Sequence, residues 1–136
     1  MARIVSVRSF RGGTGKSNIS ANLATLVASS GRAVGIVDTD ISSPGVHVVF
    51  GLSEDRIEHT LNDYLWGQCR IDEAAHDVTP DGLPGSVHVI PASLKTGAIT
   101  KVLREVYDVG TLVDGFRDVI DSLSLDYLFI DTHPGR

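Results

Sequence analysis

Arg11-Gly12-Gly13-Thr14-Gly15-Lys16-Ser17 is the stretch whose reading decides the fold. It stands between a short apolar segment, Ile4–Val7, and a segment with helical spacing, Lys16–Ser29. Glycines at 12, 13 and 15 carry no Cβ, so successive backbone N–H groups can turn inward around a phosphate. A helix beginning near Lys16 points its orphan N–H groups and the positive end of its dipole at the same place. Lys16 reaches toward terminal phosphates there, and the Ser17 hydroxyl can ligate Mg²⁺. Phe10 occupies the first glycine position of the strict GxxxxGK[ST] pattern, so the chain keeps the shorter GGxGK[ST] form.

Outward from this loop, three more segments read as strands: Ala33–Val37, Val87–Ile90 and Tyr127–Ile130. Their continuous Val- and Ile-rich runs suit parallel strands buried on both faces. Asp38-Thr39-Asp40 follows the second strand, and Asp131-Thr132-His133-Pro134-Gly135 follows the last. Ile19, Leu23, Leu26 and Val27 give the first helix its apolar spacing, with Gly31 as the stop. Leu112, Val113, Phe116, Val119, Ile120 and Leu123 form a second stripe. Thr96–Tyr107 reads as a less regular helix, and short helices fall near Thr60–Trp66 and Ile71–His76. Strands alternating with helices predict a doubly wound α/β fold, which binds ligands at the carboxyl ends of its strands.

Bulk properties narrow the field. The 136 residues fit one domain, and 42% hydrophobic content supplies a core. A net charge of −5 argues against a binder that covers nucleic acid with its whole surface. The single cysteine, Cys69, excludes an internal disulfide and a CxxC metal site within these residues, and it suits a reducing cytoplasm. No apolar run approaches the roughly 18 residues of a membrane span. The N-terminus is too short and too alternating for a signal peptide.

At the loop and the two aspartate-bearing strand ends, the sequence resembles the ParA/MinD family of deviant Walker-type P-loop ATPases. That family's loop reads KGGxGK[ST], with a signature lysine just before the paired glycines. The resemblance runs from Met1 to about Gly51 and resumes at the strand ending in Asp131, which looks like Walker B leading into switch II. It implies a P-loop NTPase three-layer fold, a parallel sheet flanked by helices. Residues 1–136 would be the N-terminal part of a single ATPase domain, with the C-terminal half missing after Walker B. A truncated product or fragment is expected on that basis, with a strand left on an exposed apolar edge.

The resemblance also assigns residues. It places ATP along Gly12, Gly13, Thr14, Gly15, Lys16, Ser17 and Asn18. Mg²⁺ falls to Ser17, Asp38, Asp40 and Asp131, with Asp40 orienting the attacking water. Lys16, Asp40 and Arg11 are the catalytic set, since Arg11 stands where the signature lysine would reach a partner's phosphates. Arginine keeps the charge but not the shape of lysine, and Asn18 stands where a second threonine is common. The implied function is Mg-ATP binding, with hydrolysis driving a dimer–monomer switch that positions or partitions a cargo. The alternative is a nucleotide-binding or regulatory module that does not hydrolyse. A nucleotide-dependent homodimer is the implied partner, and a membrane or DNA partner is not readable. Carriers of the related iron–sulfur type need cysteines that these residues lack.

The remaining conspicuous residues read as structural. His47, His59, His76 and His88 show no metal-ligand spacing and read as surface or satisfied core histidines. His133 differs only by lying within the switch II segment. Tyr64 and Trp66 read as packing against the sheet or marking a turn, Ser42–Gly45 as a loop, and Lys95, Lys101 and Arg104 as a solvated face.

Overall fold

The computed structural model describes residues 2–7, 14–38, 50–91 and 109–131, with residues 14–19 described by their backbone. The elements run β1 (Arg3–Val7), α1 (Thr14–Ala28), β2 (Ala33–Asp38), a 3-10 turn (Glu54–Arg56), α2 (Leu61–Leu65), a second 3-10 turn (Asp72–Ala74), β3 (His76–Asp77), β4 (Ser86–Ile90), α3 (Val109–Leu123) and β5 (Tyr127–Asp131). The five strands form one sheet in the order β1-β5-β2-β4-β3. All pairings are parallel except the short antiparallel one between β3 and β4. The α/β, parallel-sheet reading of the sequence therefore holds, and the four expected strands are present.

Two cores sit on opposite faces of the sheet. α1 covers one, through Ala24 and Ala28 against Val34, Ile36, Val87, Val89 and Phe129. α3 and α2 cover the other, through Phe116, Val119 and Leu61 against Val37, Ile90, Leu128 and Ile130. β2 and β5 are buried along nearly their whole length, as continuous apolar runs require.

Several local expectations need correcting. α1 packs on the sheet through small residues, Ser20, Ala21, Ala24 and Ala28, while Leu26 is 68% exposed and Leu23 also faces outward. A helix that lies close to a sheet needs small side chains at the contact, so Leu23 and Leu26 mark the wrong face, while Val27 packs against this core as expected. β1 is not buried on both faces: it is the edge strand, and Ile4 is 51% exposed. The Ile71–His76 segment holds only a 3-10 turn followed by β3. Tyr64 packs against the core on the α3 side of the sheet, and it also joins two helices. Its hydroxyl donates to the Thr111 carbonyl at 2.8 Å, and its ring sits where a Cβ on Gly115 would be, so it locks α2 to α3. His76 is satisfied, accepting from the Glu58 N–H at 3.2 Å and meeting the Ala74 carbonyl at 2.9 Å. His88 is not, since its buried Nδ1 has no hydrogen-bond partner among the described residues. Thr96–Tyr107, Ser42–Gly45, His47, Lys95, Lys101, Arg104 and His133 lie outside the described residues.

α2 forms where expected because Thr60 closes a capping box with Asp63. Its first N–H, on Leu61, donates to the Pro91 carbonyl just beyond β4. α3 ends in a tight turn at Ser124, whose φ of 51° is uncommon for a residue with a Cβ. That turn passes the chain straight into β5.

Asp126 then fixes β5 against both neighbours. Its carbonyl accepts from Arg3 N–H at 3.0 Å, its N–H donates to the Ala33 carbonyl at 2.7 Å, and its Oδ2 accepts from Ala33 N–H at 2.9 Å. Asp126→Ala removes the bond to a partly buried N–H and is expected to cost about 1.5–3 kcal/mol, as for bonds to charged acceptors. Urea unfolding with an unchanged m-value checks it; a midpoint equal to that of the wild type would show that the register does not depend on this carboxylate.

Candidate functional site at the strand ends

The parallel register set at Asp126 carries three strand ends to one level. Val7 of β1 pairs with Asp131 of β5, and Asp131 pairs with Asp38 of β2. Residues in register on neighbouring parallel strands point to the same face. Asp38 and Asp131 therefore stand side by side on the α1 face, and both are buried, at 0% and 1% exposure. Two ionised carboxylates at one buried point are costly unless positive charge and donors compensate them. Such a pair is rarely laid down for packing alone.

α1 supplies the complement. The helix starts at Thr14, so Thr14, Gly15, Lys16 and Ser17 form its first turn, where backbone N–H groups have no partner inside the helix. That turn contains no acidic residue to occupy the positive end of the dipole. Further along, Ser20 Oγ donates to Asp131 Oδ1 at 3.0 Å, with both side chains buried. At 1.5 Å of rise per residue, Ser17 begins roughly one turn beyond that tie, past the strand ends. The start of α1 thus overhangs the pair of carboxylates. An anion placed against the N–H groups would lie beside a cation placed against Asp38 and Asp131.

The donor set fits Mg²⁺. This ion takes oxygen ligands and is usually held by one or two carboxylates, with water and substrate phosphates completing the shell. Among the described residues no group of three or more His, Cys, Asp or Glu side chains gathers as a metal centre. A softer or fully protein-ligated metal would need such a group.

Of the residues singled out from the sequence, Asp38 and Asp131 are brought together. Thr14, Gly15, Lys16, Ser17 and Asn18 fall on the first turns of α1, as the loop-then-helix reading requires. Arg11, Gly12, Gly13 and Asp40 lie outside the described residues. Ser20 was missed. The available signal was its spacing, four residues after Lys16 on a helix, which sets both on one face.

A separate cleft of about 380 Å³ lies on the opposite side of the sheet, between the segment after α2 and α3. Tyr64, Cys69, Arg70, Asp72, Asp118 and Asp121 line it. Burial, then Asp118 and Asp114, raise the Tyr64 hydroxyl pKa. Burial, then Asp63, Glu73 and Asp72, push the Cys69 thiol up to about 11. Three carboxylates around one arginine make this cleft unsuited to phosphate. The strand ends are the better site.

Comparison with known proteins agrees. The chain matches the ParA family, described as NUBPL iron-transfer P-loop NTPase, over residues 1–136. It is 35% identical over 133 residues to the antiactivator FleN of Pseudomonas aeruginosa, covering 98% of this chain and 43% of FleN. Among solved structures it is similar to the cell division ATPase MinD of Pyrococcus furiosus, with a TM-score of 0.80 and 28% identity, covering 100% of this chain and 52% of that one. The septum site-determining protein MinD of Pyrococcus horikoshii, complexed with Mg-ADP, gives a TM-score of 0.76 and 29% identity, with 100% and 51% covered. The chain thus spans about half the length of these relatives. With the match covering all 136 residues, and α1 and the paired aspartates in place, the chain belongs to the ParA family of P-loop NTPases.

Proposed function

We propose that this chain binds an adenine nucleotide with Mg²⁺ at the strand ends, as the N-terminal part of a single ATPase domain acting in the cytoplasm. One observation carries the reading: two buried aspartates, level on adjacent strands, face the helix that opens on Gly15-Lys16-Ser17. The Mg-ADP complex of the Pyrococcus horikoshii relative supports the choice of ligand. The backbone N–H groups of residues 12–17 hold the phosphates, and Lys16 neutralises their terminal charge. Ser17 and Asp131 hold the metal, directly or through water, with Asp38 ordering the water around it. Bound there, Mg²⁺ stabilises the charge that builds on the phosphates during phosphoryl transfer.

Hydrolysis follows as the activity of the whole protein. Asp40 orients the attacking water, and Arg11 reaches the phosphates of a second copy in a nucleotide-dependent homodimer. Turnover would then reset a dimer–monomer switch that positions or partitions cargo, in keeping with the cell-division and antiactivator roles named for its relatives. A second reading has its own support in Arg11, which replaces a compact point charge by a longer planar fork. On that reading the chain binds nucleotide and does not turn it over. Iron transfer, named in the family description, finds no support in these residues. Cys69 is the one cysteine present, it lies in the cleft on the far face, and its raised pKa leaves little thiolate at neutral pH.

Titration with a fluorescent ADP analogue in the presence of Mg²⁺ is expected to show saturable binding that Lys16→Ala weakens about 10- to 100-fold, the size of a lost charged hydrogen bond. Absence of binding by the wild-type chain would sink the proposal. Phosphate release divides the two readings. Release abolished by Asp40→Ala favours the switch, whereas binding with no Asp40-dependent release favours the silent module, and Arg11→Lys is then expected to restore turnover.

A second expectation concerns the thiol. Cys69→Ser leaves nucleotide affinity unchanged, and anaerobic reconstitution with iron and sulfide gives no cluster absorbance in either protein. A cluster that disappears with the substitution would restore the carrier reading.

A further inference from the structure

We propose that Ser20 is a positioning residue for the metal: it orients the Asp131 carboxylate and couples it to the phosphate-binding turn of α1. The inference rests on the Mg-nucleotide reading of the site and deepens it.

Serine inside a helix usually bonds back to a carbonyl three or four residues earlier. The hydroxyls described further along α1 and at its end do so. Thr25 donates to the Ala21 carbonyl at 2.9 Å, Ser29 to Leu26 at 2.5 Å and Ser30 to Val27 at 2.6 Å. Ser20 instead donates across the layer to Asp131, 111 residues away in sequence, and it is completely buried.

Packing alone does not ask for a hydroxyl here. Among the described residues, the face of α1 that meets the sheet is otherwise built from Ala21, Ala24, Ala28 and the partly buried Val27. Alanine at position 20 would meet the same size limit and is the better helix former. The hydroxyl adds one donor to a carboxylate that stands level with Asp38.

The tie has a geometric consequence. Ser20 sits on the same rigid helix as Lys16 and Ser17, about one turn further along. Fixing Asp131 Oδ1 to Ser20 therefore fixes the carboxylate relative to the residues that hold phosphate, not merely relative to its own strand. A carboxylate that ligates a metal, directly or through water, gains affinity when an outer partner sets its orientation, and loss of such a partner typically costs 10–100-fold.

The test uses the 136-residue chain and a fluorescent ADP analogue, titrated with excess Mg²⁺ and again with EDTA. In the wild type the ratio of the two affinities measures the metal's contribution. Ser20→Ala is expected to cut that ratio about tenfold. Ser20→Thr, which keeps the hydroxyl, is expected to restore it. Asp131→Asn should cost less in the Ser20→Ala background than in the wild type, because the pair acts as a unit. Should the alanine variant fail to melt cooperatively, Ser20→Cys, of similar volume with a weaker donor, carries the test and is expected to reduce the ratio.

A full Mg²⁺ ratio in Ser20→Ala overturns the inference while leaving the nucleotide reading intact. Equal losses with and without Mg²⁺, or no recovery with threonine, also overturn it, since either would make Ser20 a packing residue. No binding by the wild type overturns the nucleotide reading and this inference together.

Discussion

The position of β5 governs everything at the site. Asp126 bonds to Arg3 on one side and to Ala33 on the other through backbone and side chain, so β5 starts in register with both neighbours. Side chains alternate along a strand, and a slip of one residue would turn the whole of β5 over. Asp131 would then face α3 and the second core in place of Asp38, Ser20 and the start of α1. The bonds at the bottom of the sheet thus decide which carboxylate appears at the top. The buried residues of β5 make the same demand from within, because Leu128 and Ile130 belong to the α3 core while Phe129 belongs to the α1 core.

α1 is tied into this frame by its size as much as by its polarity. Among the described residues its contact with the sheet is made by alanines, one serine and the partly buried Val27, which lets the helix axis lie close to the strands. Closeness is what allows a side chain as short as serine to reach Asp131. Larger residues at 21, 24 or 28 would lift the helix and break that reach, so packing on the α1 face and geometry at the strand ends are one constraint. Leu23 and Leu26 of α1 point outward.

Much of this was legible in the sequence because strong local signals coincide with global ones. Four apolar runs, three of them followed directly by turn or cap residues, mark the four parallel strands within a residue or so of where they lie. The glycine-rich loop announces its helix, and Asp38 and Asp131 stand out as charges at the end of apolar runs. What could not be read belongs to tertiary packing. An apolar edge was expected at β1 or β5, but no sequence pattern tells which of the two takes it, since their runs look alike. The face of α1 was misjudged because apolar spacing weighs large side chains, whereas close helix–sheet contact selects small ones. Ser20 escaped notice for a related reason: a serine in a helix is ordinary until its partner from the far end of the chain is known.

Charge ties the two halves of the site together. Asp38 and Asp131 gather two carboxyl groups in a buried place, and the first turn of α1, which holds no acidic residue of its own, has N–H groups with no partner inside the helix. Under the proposed reading, a nucleotide without metal brings its phosphates toward two carboxylates, and the attraction of α1 and Lys16 is partly cancelled. A metal without nucleotide meets the carboxylates but lacks the phosphate oxygens that complete its shell. The pair together would satisfy both ends. Low dielectric around buried groups strengthens each of these terms beyond its value in water. On that reading, selectivity for the metal-bound nucleotide would lie in the spacing between a helix start and two strand ends, with Asp126 fixing the strands below and Ser20 tying the helix to Asp131 above.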